Sequence, residues 1–126
     1  MTFFFDNNIS PKLILILKAL DVEAIHLKDE FPENTEDTVW LTHVGARGWV
    51  VVTADMAIRH RPAEYAALKA TNMTVLFLKS NFLQRNKWGQ AEWLIRHWPK
   101  IEEQVQRLGR GTIVTVSDRG KLETLK

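Results

Sequence analysis

Cysteine is absent from the 126 residues of the chain. This absence excludes disulfides, thiolate zinc sites and cysteine nucleophiles together, and it suits a reducing compartment. No apolar run approaches the ~18 residues that a membrane span needs, and the amino-terminal segment lacks the basic region of a signal peptide. We therefore expect a cytoplasmic protein that makes no membrane contact.

Several catalytic signatures are absent as well. The sequence has no Walker loop, no Gly-x-Ser-x-Gly elbow, no Rossmann fingerprint and no His-Glu-x-x-His zinc motif. It also has no internal repeat, no low-complexity segment and no linker. With 45% apolar and 25% charged residues, the composition is that of an ordinary globular core, so we expect residues 1–126 to form a single domain.

The formal net charge of +2 conceals two halves of opposite sign. Residues 1–57 hold 4 Lys and Arg against 9 Asp and Glu, whereas residues 58–126 hold 13 against 6. Such a split is typical of a protein that binds cations with one surface and a polyanion with another, although solvated helix faces alone can also produce it.

Short apolar runs alternate with helical patterns along the chain, which favours right-handed βαβ crossovers and a largely parallel sheet. These runs predict strands at residues 2–5, 22–27, 49–53 and 73–78. Between them, Ser10 is placed to cap a helix that begins at Pro11, and Pro62 lies where another helix can start. Thr35 or Asp37 could cap the helix before the third strand.

The remainder of the chain differs in pattern. A polar loop at 79–87 precedes a long helical stripe, in which Pro99 should break or kink the helix at Trp98. Residues 112–116 and 121–125 flank a Ser-Asp-Arg-Gly turn at 117–120, which predicts a β-hairpin with glycine at a positive-φ position. The expected class is α/β, with a central, largely parallel sheet flanked by helices and a C-terminal β-hairpin.

Acidic residues follow the first three predicted strands. Asp6 ends the first strand, Asp37 follows the second through an acidic loop, and Asp55 follows the third. Because the carboxyl ends of parallel strands share one edge of a sheet, these three acids should meet. Asp29 and Glu30 compete with Asp37 for the third place, and Asn8 could support the site through its side-chain oxygen. Taken singly, Asp37 and Asp55 could instead be turn residues or helix caps, whereas Asp6 ends a very apolar strand.

Converging carboxylates raise one another's pKa, so such a cluster is stable when a divalent cation neutralises it. Oxygen ligands without cysteine or paired histidines favour Mg²⁺ or Mn²⁺ over zinc. An ion of this kind can activate a water and stabilise the leaving oxygen of a phosphodiester displacement. The acids therefore predict nuclease chemistry.

Basic residues follow the third and fourth strands, where they would lie near the same edge. They could hold the phosphates that flank a scissile bond without reading sequence, or they could be solvated surface. The predicted phosphate-binding residues, which bind RNA if the chain is a ribonuclease, are Arg59, Arg61, Lys79, Arg85 and Lys87.

The chain has five tryptophans, a residue type on which nucleic-acid bases can stack. Trp40, Trp49 and Trp98 follow core spacing and are predicted to be packing residues. Trp88 and Trp93 are less well explained by the pattern, but a tryptophan in a domain of this size is more often part of a core or an interface.

Four segments carry a resemblance to a known family. They are FFFDNNISP at 3–11, HLKDEF at 26–31, DTVWL at 37–41 and GWVVVTAD at 48–55. Each motif alone is weak, but in this order they resemble the successive motifs of short PIN-like proteins, which are relatives of the ribonuclease toxins of toxin-antitoxin pairs. The likeness covers nearly the whole chain.

This resemblance implies a three-layer PIN-like fold and an endoribonuclease that depends on Mg²⁺ or Mn²⁺. It implies that Asp6, Asp37 and Asp55 are both the catalytic and the metal-binding residues. It also implies an RNA substrate, a protein antitoxin as partner and pairing as a homodimer. Better-known PIN nucleases usually offer a fourth acid after a later strand, where this chain has Leu78 and Lys79.

Two alternatives to a nuclease remain open from the sequence. A receiver-like signalling domain would accept a phosphoryl group on Asp55, but such domains carry an acidic pair after strand one, where Asn7 follows Asp6 here. A PIN-like fold could also serve as a binding module without catalysis.

Overall fold

Six strands form one sheet in the computed structural model, which describes residues 1–79 and 81–124. The strands are β1 Phe3–Phe5, β2 Ala24–His26, β3 Val50–Thr53, β4 Val75–Leu78, β5 Ile113–Val116 and β6 Leu122–Thr124. Their order across the sheet is β2-β1-β3-β4-β5-β6, and every neighbouring pair is parallel except β5 and β6. The predicted α/β class, with its C-terminal hairpin, is confirmed.

Helices cover both faces of this sheet. They are α1 Pro11–Ala19, α2 Leu27–Glu30, α3 Asp37–Ala46, α4 Pro62–Ala70, α5 Asn81–Gln84 and α6 Lys87–Val105, with a 3₁₀ helix at Met56–His60. None of the helices within the described ranges combines the length and apolar character needed to cross a membrane.

The apolar runs of the strands supply two cores, one on each face. Because successive strand residues point to opposite faces, Phe3 and Phe5 pack in the core beneath α1 and α6, whereas Phe4 packs in the core beneath α3 and α4. The residues of β3 and β4 divide between the two cores in the same way. This double burial explains why the strands read as continuous apolar runs without alternation.

The start of α1 follows the sequence prediction. The Ser10 hydroxyl accepts a hydrogen bond from the Lys12 amide at 3.2 Å, and Pro11 occupies the first turn, where a missing N–H costs nothing. Pro62 likewise opens α4. In the hairpin, Gly120 has φ of +75° as expected. Leu125, placed in the second hairpin strand by its pattern, lies outside the described residues.

Four local predictions were wrong. The segment at 79–87, expected to be a polar loop, contains α5. Pro99 does not break α6, which runs on to Val105, because the buried side chains of Trp98 and Ile101 hold the helix on both sides of the proline. The second strand ends at His26, since the chain turns directly into α2. No side chain caps α3: Glu36 is the N-cap residue without a capping hydrogen bond, and Thr35 bonds the Pro32 carbonyl instead.

Candidate active-site cleft

The three acids singled out from the sequence line one cleft at the carboxyl edge of the sheet. Asp6 directly follows β1, Asp55 lies two residues beyond β3, and Asp37 is the first residue of α3. They share a cavity of about 150 Å³, whose walls also include Asn7, Asn8, Leu27, Trp40 and Ile58. The parallel register of β1 and β3 places the ends of these two strands side by side.

Asp6 is the buried member of the cluster, with 7% of its surface exposed. Its Oδ1 accepts the Asn8 amide at 3.3 Å, and its Oδ2 accepts the Thr53 hydroxyl. Burial raises the pKa of the Asp6 carboxyl to about 7, and the charges of Asp55 and Asp37 add to this effect while the two hydrogen bonds oppose it. A negative charge at Asp6 therefore lacks sufficient compensation from its neighbours.

A small hydrogen-bond frame holds the loop after β1 against the end of β3. The Asn8 side-chain oxygen accepts the Ala54 amide at 3.2 Å, and the Thr53 hydroxyl oxygen accepts the Asp55 amide at 3.0 Å. Asn8 thus supports the site by fixing the backbone on both sides of the cleft, since its oxygen is committed to that amide.

Asp37 and Asp55 are joined by an arginine. Asp37 Oδ1 accepts the Trp40 indole N–H at 2.9 Å, and Asp55 Oδ1 accepts the Ala57 amide at 3.1 Å. The second oxygen of each acid contacts the Arg61 guanidinium, at 3.4 Å for Asp37, and directly through Nη2 for Asp55. The hydrogen bond to Asp55 raises the pKa of Arg61 further, so this arginine is a permanent cation.

The donor set of the cleft fits a hard divalent cation, because it consists of carboxylate oxygens and is bordered by amides. Among residues 1–79 and 81–124, however, no three His, Cys, Asp or Glu side chains are arranged to hold a metal ion together. The observed contacts give a reason. Arg61 stands between two of the acids, and the oxygens of Asp6 are bonded to Thr53 and Asn8.

Asp29, the competitor for the third place, lies in α2 and is not part of the cleft wall. Asp37 is part of that wall. The structure therefore places Asp37, and not Asp29, beside Asp6 and Asp55.

The predicted RNA-binding residues have different surroundings. Lys79 forms an ion pair with Glu123 on β6 at 3.3 Å. Arg85 lines a second cavity of about 180 Å³, together with Trp93, His97 and Asp118. Lys87 is exposed at the start of α6, and Arg59 lies in the 3₁₀ helix beside the cleft. Arg61 faces the acids, as described above.

Two features of the cleft went unrecognised in the sequence. Arg61 is a counter-ion of the acids, and Glu64 also approaches it, with Arg61 Nε 3.8 Å from Glu64 Oε2. The available signal was the spacing Arg61-Pro62-x-Glu64, which puts an acid in the first turn of a helix, three residues after an arginine.

Asp118, which follows β5, does not supply a fourth acid, because it lines the second cavity.

His26 is the last residue of β2 and pairs with Phe5 of β1, the residue before Asp6. Its side chain is fully buried, its Nε2–H donates to the Ile9 carbonyl at 2.7 Å, and its Nδ1 accepts the Lys28 amide at 3.1 Å. These partners require a neutral ring, and burial lowers the pKa of His26. The residue joins the loop after β1 to the start of α2.

Replacing His26 by Leu is expected to lower the free energy of unfolding by about 1–3 kcal/mol near pH 7.5, because a buried carbonyl and an amide lose their partner. The pKa of His26 in the folded protein lies below its unfolded value of 6.5. The stability that the neutral ring contributes is therefore fully present above the unfolded pKa and is lost as the pH falls below it. Urea unfolding in EDTA should therefore show that the difference in free energy of unfolding between wild type and His26→Leu becomes smaller towards about pH 5. The exposed His60→Leu serves as control; a gap that does not narrow would contradict the assignment.

The structure is thus an α/β fold with acids gathered at the carboxyl edge of its largely parallel sheet. The comparison with protein families agrees: residues 1–80 match the PIN like domain family, and the chain belongs to that family. No curated protein and no solved structure matches the chain. Membership in the PIN-like family favours a nuclease-type fold over the receiver-like alternative.

Proposed function

We propose that this protein is an endoribonuclease that depends on Mg²⁺ or Mn²⁺. The observation that carries the proposal is the meeting of Asp6, Asp37 and Asp55 in one cleft, with the Asp6 carboxylate buried and short of compensating charge. These three acids would hold the cation. Belonging to the PIN-like family supports the proposal, because the fold of that family is of nuclease type.

The residues of the cleft have separable tasks in this proposal. A bound divalent cation would activate the attacking water and stabilise the leaving oxygen. Thr53 and Asn8 keep the Asp6 carboxylate in one orientation, and Trp40 does the same for Asp37. Arg59 and Arg85, outside the cleft, would hold the phosphates that flank the scissile bond.

A circular single-stranded RNA tests the proposal directly, since only an endonuclease can open it. The purified protein should linearise the circle in Mn²⁺ or Mg²⁺ and leave it intact in EDTA. Asp55→Asn should remove the activity, because a carboxylate ligand is lost. An intact circle with the wild-type protein in both metals would favour the reading of the fold as a binding module without catalysis.

We further propose that the protein acts as the toxin of a toxin-antitoxin pair. The resemblance of its motifs to toxin ribonucleases supports this, and it suggests a protein antitoxin that covers the cleft, as well as pairing of the chain as a homodimer. Induced production of the wild-type chain should arrest growth and degrade RNA in cells, whereas Asp6→Asn should do neither. Normal growth with active purified enzyme would refute the toxin role alone.

RNA binding should depend on salt through the basic residues near the cleft. Each phosphate contact that is removed should flatten the slope of log affinity against log salt by roughly 0.7 for single-stranded RNA. Arg59→Ala/Arg85→Ala is therefore expected to flatten it by roughly 1.4, measured in Ca²⁺ to hold back cleavage. Arg107→Ala is the control. Arg107 lies between α6 and β5, away from the residues proposed to bind phosphate, and it pairs with Glu103 at 2.8 Å. Equal slopes in the double variant and wild type would show that these residues are solvated surface.

A further inference from the structure

One arginine is surrounded by acids at the cleft. Arg61 contacts Asp37 and Asp55, and its Nε approaches Glu64. Within the part of the chain that the structure describes, the residues that line the cleft include no lysine and no arginine, and Arg61 reaches Asp37 and Asp55 from beside it. The positive charge that Asp37 and Asp55 meet therefore comes from Arg61.

We infer that Arg61 is a built-in competitor of the divalent cation, whose guanidinium must leave Asp37 and Asp55 before a cation can bind them. The inference rests on the proposed function, because it takes these two acids as ligands. It assigns to Arg61 a control over metal loading in place of the phosphate contact expected from the sequence.

The competition follows from which oxygens are free. Asp37 Oδ1 is engaged by the Trp40 indole and Asp55 Oδ1 by the Ala57 amide. The remaining oxygen of each acid, Oδ2, is the one that Arg61 contacts. Mg²⁺ needs oxygen ligands at about 2.0–2.1 Å, so it cannot share these two atoms with a guanidinium placed between them. The two positive charges would also repel each other at such close range.

The position of Arg61 allows it to leave. Its side chain is 41% exposed, and ion pairs of such half-exposed groups are weak. Arg61 precedes α4 and makes no side-chain capping bond there, so its release costs the helix nothing. Glu64, at 3.8 Å from Arg61 Nε, offers a partner that can retain the guanidinium beside the cleft after it has left the other two acids.

Manganese binding measured by titration calorimetry, without RNA, tests the inference. Arg61→Gln should lower the Kd for Mn²⁺ roughly tenfold, because the cation no longer displaces two ion pairs. Arg59→Gln is the matched control: it removes the same charge two residues away, and among residues 1–79 and 81–124 Arg59 forms no ion pair. The Mn²⁺ Kd of Arg59→Gln should fall by less than about threefold, because this substitution changes only the overall electrostatic field around the cleft. Arg61→Lys, which cannot bridge two acids with one planar fork, should lie between wild type and Arg61→Gln.

A second measurement needs no variant. In the wild-type protein, titration with Mg²⁺ should shift the side-chain Nε–Hε resonance of Arg61 and leave that of Arg59 in place. Equal Mn²⁺ affinities for Arg61→Gln and Arg59→Gln, or an Arg61 resonance that does not respond to Mg²⁺, would overturn the inference. Opening of the circular RNA by the wild-type protein is measured separately, so the nuclease proposal can survive that result.

Discussion

Asp6→Asn is expected to lower the rate of Mn²⁺-dependent RNA cleavage by about a thousandfold or more, because loss of a metal ligand removes several kcal/mol of transition-state stabilisation. The substitution conserves the shape of the side chain. The side-chain amide of the new asparagine can still accept the Asn8 backbone N–H and donate to the Thr53 hydroxyl oxygen. Cleavage of single-stranded RNA under single-turnover conditions measures the effect. Asp21→Asn, which changes an exposed acid in the turn after α1, is the matched control and should retain full activity.

The same variant should be more stable than wild type when metal is withheld. The pKa of Asp6 is raised from 3.8 to about 7 in the folded protein, so protonation stabilises the fold fully below 3.8 and this contribution is lost as the pH rises through about 7. An asparagine has no charge to bury at any pH. In EDTA, the free energy of unfolding of Asp6→Asn should therefore exceed that of wild type by an amount that grows between about pH 4 and pH 8, up to a few kcal/mol. The melting temperatures of the two proteins over this pH range measure the difference. A difference independent of pH would contradict the burial of this charge.

Trp98→Ala is expected to lower the free energy of unfolding by about 3–5 kcal/mol, the largest stability effect that we predict. The Trp98 ring lies 5.0 Å from the ring of Phe3 and 5.5 Å from that of Phe5, so its removal opens a cavity between α6 and the sheet. Urea unfolding measures the loss.

Trp88 provides the comparison within the same helix, since 82% of its surface is exposed. Trp88→Ala should change the free energy of unfolding by no more than about 0.5 kcal/mol. A large loss in Trp88→Ala, or a small one in Trp98→Ala, would show that the described packing is wrong. If Trp88→Ala leaves stability unchanged but weakens RNA binding, base stacking on this ring gains support.

The strands and two of the three acids could be placed from the sequence for a physical reason. A parallel strand buried on both faces must be apolar at every position, so its end is marked by the first polar residue. Asp6 is marked in this way, Asp55 is the first acid after β3, and parallel topology then brings the two together. Trp98 could be assigned to the core because its helical spacing agrees with that of Leu94 and Ile101, which are also buried.

The rest of the cleft depends on geometry that spacing does not encode. Asp37 lies beyond a loop and a short helix, so its distance in sequence from β2 left Asp29 as an alternative to it. The ion pairs of Arg61 with Asp37 and Asp55 could not be predicted, because they depend on the 3₁₀ helix after Asp55, which returns the arginine to the acids. Pro99 was misjudged for a different reason: the packing of α6 on the sheet outweighs a local preference.

The sheet continues past the segment that defines the family. The match covers residues 1–80, which end just after β4, yet β5 pairs with β4 along its whole length and α6 covers the face that holds Phe3 and Phe5. A chain cut at the end of the match would leave β4 as an open edge strand and expose aromatic side chains beside it. Such an edge is a template for pairing with other chains, so the shortened protein would self-associate into aggregates. The carboxyl-terminal third thus covers an edge and an apolar face of the family segment, whose strands β1 and β3 lead into Asp6 and Asp55.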